Sequence, residues 1–275
     1  MELMETIELK KFLKDVGNSV HSMNTIAVAL SLLPDNDIVI PKGLEISWKP
    51  KNIEHSILMS RNFAERSAYV YASESLFEYL ENISTHSFWS YPELNFKGDE
   101  KKAIKVYNFL INIPGITKSM AIMGELLCHW RNRIVHLNIS NANISSNKKD
   151  FLLDCKTNIY NDFHHFDVSE ALNNFNTKKI TLKDVSTLIT IMIQNVRLID
   201  KHFFNGIANN DLNELIKRFK KKDDFSLIFK QSASEKRERK IKRWIEVNYP
   251  YLSKKMKLDL EKEIIKQAHN NVYKK

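Results

Sequence analysis

The stretch Glu54–Ile83 runs for thirty residues without a glycine or a proline. Strands in globular proteins span about 3–10 residues, so a run of this length can be regular only as a helix. Ala64, Ala68, Tyr71, Leu76, Leu80 and Ile83 recur along it at steps of three to five and predict one apolar face. The small alanines on that face would let another helix approach closely. The whole chain has six glycines and six prolines in 275 residues. A β-rich fold needs many turns, and turns favour these two residues, so their scarcity argues for long helices throughout.

Other segments agree. Residues 1–33 read as one or two helices with Ile7, Phe12, Leu13, Val16 and Val20 as apolar positions, stopped at Pro34-Asp35-Asn36-Asp37. Asp37–Lys51 holds two prolines and a glycine and predicts a connector with at most a short strand. Ser84–Asp99 reads as a loop, Glu100–Asn112 as a helix ended by Pro114-Gly115, and Asn138–Lys149 as a polar loop. In Ile116–Leu137 the residues Ile116, Met120, Met123, Leu127, Trp130, Ile134 and Leu137 alternate steps of four and three. Thr181–Phe204 does the same through Leu182, Val185, Ile189, Met192, Val196, Ile199 and Phe203, and a shorter helical piece covers Phe151–Phe163. The expected fold is all-α. A bundle of four or five long helices spans residues 51–211, with N-terminal helices and a connector at 1–50 and a basic helical extension at 212–275.

Charge is distributed unevenly. The net charge is +9. Residues from Leu212 onward carry 19 Lys and Arg against 9 Asp and Glu, whereas the preceding residues carry 23 against 24. A neutral body with a basic extension suits a polyanionic partner, and RNA is the partner expected here. Lys217, Arg218, Lys220, Lys221 and Lys222 form one basic run, and Arg237, Lys240 and Arg243 belong to another. Such residues bind phosphates without reading sequence. Trp244, Tyr249 and Tyr251 could stack on bases, although packing onto the bundle is the commoner fate of large aromatics. Two cysteines, Cys128 and Cys155, make neither a disulfide framework nor a four-cysteine zinc site. No window of 18 apolar residues exists, and the N-terminal residues lack a signal-peptide core. The expectation is a cytoplasmic protein with no membrane span.

The segment Glu125–His136 carries the most chemistry. Each residue of a helix advances about 100°, which puts Glu125, His129, Asn132 and His136 on the side opposite the Trp130 stripe, with Arg131 and Arg133 at its edges. Exposed helix faces favour Lys, Glu, Gln or Ala. A face of His, Asn and His suits a second covered surface or a cleft, and equally suits ordinary surface histidines. It does not suit a metal: His129 and His136 lie about 10 Å apart along the axis, and the neighbours His164 and His165 diverge by about 100°.

Arg131-Asn132-Arg133-Ile134-Val135-His136 resembles the Arg-x4-His motif of the HEPN superfamily, all-helical domains found in prokaryotic toxins, abortive-infection proteins and certain CRISPR ribonucleases. The resemblance covers about residues 54–204. It implies an endoribonuclease that uses no metal or other cofactor and attacks through the RNA 2′-hydroxyl. In that reading His136 is general base or acid, Arg131 holds the scissile phosphate and Asn132 orients either Arg131 or the phosphate, with Glu125, His129 and Arg133 as possible auxiliaries. Arg131 and His136 project about 140° apart on one helix, so a homodimer with a composite cleft is expected. An antitoxin or regulatory protein is a further partner that the family implies. Some members carry a tyrosine two residues after the histidine, which a nucleotidyltransferase modifies; here Asn138 stands there. Two other readings stay open, a non-catalytic helical module binding RNA or protein and a regulatory subunit with an acidic partner.

Overall fold

The computed structural model describes residues 5–33, 40, 43, 44, 46, 48–86, 89, 91, 93–96, 101–136, 143–209, 212–232, 234–250, 252 and 254–270, with backbone alone at 204–209, 214, 269 and 270. Twelve helices and no strand occur among these residues: α1 Ile7–Ser31, α2 Ile53–Ser84, α3 Lys102–Ile111, α4 Lys118–Val135, α5 Ser146–Asp154, α6 Lys156–Asp162, α7 Val168–Thr177, α8 Leu182–Asn209, α9 Leu212–Phe219, α10 Asp223–Phe229, α11 Glu235–Asn248 and α12 Lys254–Asn270. The fold is all-α, as expected. No helix among the described residues is long and apolar enough to cross a membrane.

The chain divides into two compact units, one of Leu9–Glu81 and Phe96–Leu198 and one of Met1–Glu8, Asn82–Asn95 and Ile199–Lys275. These boundaries differ from those expected at 50 and 211. α1 does not stand apart, because Phe12, Val16 and Met23 are buried and the Phe12 ring lies 5.7 Å from Tyr79 of α2.

In the larger unit α4 is the central element. Every residue from Met120 to Trp130 is buried, so this helix is enclosed on all sides rather than amphipathic. Thr117 caps its N-terminus, accepting from the Met120 N–H at 3.2 Å. Tyr69 of α2 stacks on Trp130, and Phe175 of α7 meets the same indole edge-on at 5.1 Å. Asn195 of α8 donates to the Met120 carbonyl. α3 comes closest: a Cβ on Gly124 would sit 2.7 Å from Leu110 Cδ1, so only glycine permits this approach without a shift of the leucine.

Three expectations change here. Tyr71 is 66% exposed and lies off the buried face of α2, which runs instead through Ala68, Tyr69, Ala72, Leu76 and Leu80. Phe151–Phe163 is two helices that break at Cys155, and the first of them starts at Ser146, inside the expected loop. α7 is an additional helix. Asp167 caps it by accepting from the Ser169 and Glu170 amides, and Lys178 closes it at φ 58°. Residues 34–39 and 137–142 of the expected connector and loop lie outside the described residues.

The smaller unit has its own aromatic core. Phe219 lies 5.2–5.3 Å from Tyr249 and Trp244, and Phe225 lies 4.5 Å from Trp244. The Trp244 indole N–H donates to Asp224 at 2.6 Å. α9, α10 and α11 therefore pack around buried rings rather than lying along a solvated tail. Thr6 and Asp200, both buried, add a polar tie through the Thr6 amide and hydroxyl.

His86 sits among Phe203 and Tyr249 at 4.9 and 5.5 Å. Burial, and secondarily the Lys222 ammonium, lower its pKa to about 3. An unfolded imidazole titrates near 6.5, so as pH falls the unfolded chain takes up this proton first. Stability from neutral His86 is complete above about pH 6.5 and is lost toward pH 3, by about 1.4 kcal/mol per pH unit. Urea denaturation followed by circular dichroism should show the native chain losing about 2 kcal/mol more than His86→Phe between pH 7 and pH 5.

Candidate active site

α4 ends in its most polar turn. Arg131, Asn132, Arg133 and Ile134 are half-buried, whereas Val135 and His136 are exposed. His136 closes the helix: its N–H still bonds to the Asn132 carbonyl, but its φ of −116° and ψ of 88° leave the helical path. That exit changes where the imidazole can reach. Arg131 Nη1 lies 3.5 Å from His136 Nε2 and 3.3 Å from Asn132 Oδ1. The expectation that one chain brings Arg131 and His136 together only awkwardly is therefore corrected. The 140° argument assumes that both residues are helical, and His136 is not.

The rest of the guanidinium is fixed from α2. Arg131 Nε donates to Glu74 Oε1 at 2.8 Å, and Nη2 lies 2.5 Å from the same oxygen. One edge of the guanidinium thus faces a carboxylate, and Nη1 faces the amide and the imidazole. For Nη1 to donate to His136, Nε2 must be the bare ring nitrogen, with the proton on Nδ1. That lone pair accepts from Nη1 here; when Nη1 turns to an adjoining anion instead, Nε2 is freed to take a proton from a hydroxyl.

The expected auxiliaries lie elsewhere. Glu125 and His129 are 3% and 5% exposed, inside the unit rather than on an outward face with His136. Lys148 Nζ reaches Glu125 Oε2 at 2.5 Å and lies over the Tyr107 ring. His129 Nε2 is 3.4 Å from Glu125 Oε1, but no hydrogen bond of acceptable geometry forms at either ring nitrogen among the described residues. The two side chains are neighbours without a hydrogen bond between them. The polar contacts of Glu125 and His129 run to each other and to Lys148, not to Arg131 or His136. Arg133 turns the other way. Its guanidinium lies 3.5 Å above the Phe175 ring and donates to the Phe175 carbonyl, so it braces α7, and burial lowers its pKa.

The basic residues expected to meet RNA divide by burial. Lys217, Lys221 and Arg243 are exposed. Arg218 donates to the Trp89 carbonyl, Lys240 reaches Gln231, and Lys220 and Lys222 lie over the Phe229 and Trp244 rings. Arg237 is 1% exposed and donates to the Gln231 carbonyl, so it is corrected from a surface phosphate contact to an interior residue. Trp244 and Tyr249 are buried in the aromatic core and not available for stacking on bases; Tyr251 lies outside the described residues. The exposed cations of α11 are instead Lys236, Arg239, Lys242 and Arg243.

Glu74 was not legible beforehand, because nothing in the spacing separates it from Glu78 or Glu81 on the same helix. A buried polar pair also lacked a signal. Asn174 donates to Asp184 at 2.9 Å, and burial raises the carboxyl pKa values of Asp184 and Glu65 and that of the Tyr69 phenol. Among the described residues no three His, Cys, Asp or Glu side chains cluster as metal ligands. Comparison with protein-family models, with curated proteins and with solved structures finds no match in any of the three.

Glu125 is buried, and Lys148 pairs with its carboxylate. Lys148→Met should destabilise the fold by about 3 kcal/mol by leaving that carboxylate unpaired. Adding Glu125→Gln should restore most of the loss, and chemical denaturation of the single and double variants measures both.

Proposed function

We propose that this chain is a metal-independent endoribonuclease of the HEPN type, serving as a toxin or abortive-infection effector. The observation that carries the reading is the 3.5 Å approach of Arg131 Nη1 to His136 Nε2 at the exposed end of α4, within a motif of matching residue types. In the reaction, His136 Nε2 takes the proton of an RNA 2′-hydroxyl. The freed oxygen attacks the adjoining phosphorus, and the bond to the 5′-oxygen breaks. Arg131 Nη1 neutralises charge on the phosphorane oxygens, and Asn132 holds the guanidinium in register. The products are a 2′,3′-cyclic phosphate and a 5′-hydroxyl. The leaving oxygen needs a proton from a second acid. His136 of a second copy would supply it, so proton balance rather than helix geometry is the reason for a homodimer. The exposed stripe Lys236, Arg239, Lys242 and Arg243 on α11 would contribute phosphate contacts.

Purified protein should cleave RNA in EDTA and leave cyclic phosphate ends. His136→Ala should lower the rate by about 10²–10⁴-fold and Arg131→Ala by about 10²–10³-fold, with far-UV circular dichroism unchanged. Cleavage that survives both substitutions defeats the assignment.

One observation favours a second reading. Glu74 already neutralises Arg131, which suits a module that binds RNA without cutting it. That reading expects no cleavage under any condition. Binding should weaken steeply between 50 and 200 mM salt, and the four-residue change of the α11 stripe to glutamine should reduce the salt slope. Since the stripe would meet phosphates in both readings, cleavage in EDTA separates the two, and filter binding across a salt series tests the stripe.

A further inference from the structure

The partners of the Arg131 guanidinium divide its N–H groups unequally. Nε donates to Glu74 Oε1 at 2.8 Å, and Nη2 lies 2.5 Å from the same oxygen, so one carboxylate closes that edge of the fork. Nη1 meets Asn132 Oδ1 at 3.3 Å and His136 Nε2 at 3.5 Å. The contacts to Glu74 are ionic and short, and those of Nη1 are long and made to an amide and an imidazole. Charge-assisted hydrogen bonds are about twice as strong as neutral ones, so an arriving anion displaces the Nη1 partners before it displaces Glu74.

A guanidinium can grip a phosphate with two parallel bonds from Nε and Nη2 or from Nη1 and Nη2. The two edges are not equivalent here. In a planar trigonal group the gap between Nε and Nη2 points directly away from Nη1, and Nη1 is the nitrogen beside His136. A phosphate on the Nε edge would therefore lie on the far side of the guanidinium from the imidazole. One on the Nη1 edge lies next to it and frees Nε2 as it binds. We propose that Glu74 is a positioning residue for the phosphodiester: it blocks the unproductive edge of Arg131 and leaves the edge beside His136. The kinetic part of this proposal rests on the nuclease reading of the same site. Blocking has an electrostatic cost, because the Glu74 carboxylate repels the phosphate that Arg131 attracts. Glu74 thus weakens binding while it orders what is bound, and its removal should tighten binding and slow turnover together.

The test measures cleavage and binding separately, with the full chain. In the cleavage assay Glu74→Ala should lower kcat about tenfold or more while KM falls about threefold. Glu74→Gln still presents an oxygen to Nε and should restore most of kcat. The Glu74 side chain is 45% exposed, so circular dichroism should stay unchanged in both variants. A role in stability alone would not tighten binding as it slows turnover. The binding assay uses short random-sequence RNA with 2′-O-methyl groups, which lacks the attacking hydroxyl. The side-chain ¹⁵N signals of Arg131 are assigned by their absence in Arg131→Lys. On binding, the native Nε signal should hold its shift, because Glu74 keeps it, while the Nη signals move. In Glu74→Ala the Nε signal should move as well. A native Nε signal that moves as far as in Glu74→Ala overturns the proposal. So does weaker binding or unchanged kcat in Glu74→Ala, or a kcat in Glu74→Gln no higher than in Glu74→Ala. If the expected shifts occur in a chain that never cleaves RNA, the placement of the phosphate stands and the nuclease reading falls. If RNA is cleaved but the native Nε signal moves, the reverse holds. No change in any Arg131 signal at about 1 mM RNA overturns both.

Discussion

The enclosure of α4 is the constraint on which the larger unit depends. A helix covered on every side must fit its neighbours at each step, and two features make the fit possible. Gly124 lets α3 approach closely, and Trp130 is held between Tyr69 and Phe175. The buried segment ends at Trp130, and the next residues meet solvent in part. A rigid interior rod thus delivers one polar turn to the surface in a fixed orientation. The position of Arg131 follows from packing beneath it and from Glu74 across it, which leaves its side chain little rotamer freedom.

Much of the architecture was legible because its signals are periodic. The uninterrupted run of α2 and the three-four stripes of α4 and α8 predict helices that lie close to those found. The misses have physical causes. α7 has a cap in plain view, Asp167 with Glu170 three residues on, but only a short apolar stripe to draw attention to it. The start of α5 is polar, and its Ser145 makes no side-chain cap bond, so composition resembles a loop there. Tyr71 falls at a permissible step along α2 yet points outward, because a step of three and a step of four both keep a residue near the stripe without fixing which edge of it is covered.

The basic region teaches a related lesson. A charge run suggests a solvated surface, but Arg237, Ile241, Trp244 and Ile245 follow helical spacing, and all four are buried. The spacing placed Arg237 inside, and its charge disguised this. The long stems of Lys220 and Lys222 do structural work of the same kind by covering aromatic rings. Cation-rich sequence here builds a fold first, and only the remaining outward residues are available to a polyanion.

The departure of His136 from the helix carries a consequence for motifs of this kind. Inside a helix, spacing sets direction, and adding one residue swings everything beyond it through about 100°. Past the last helical residue, direction is set by the turn, and what counts is how far a side chain can reach back. An arginine within the final turn and a histidine just beyond it can meet across several different intervals. The length of such a motif is therefore elastic on its histidine side and rigid on its arginine side.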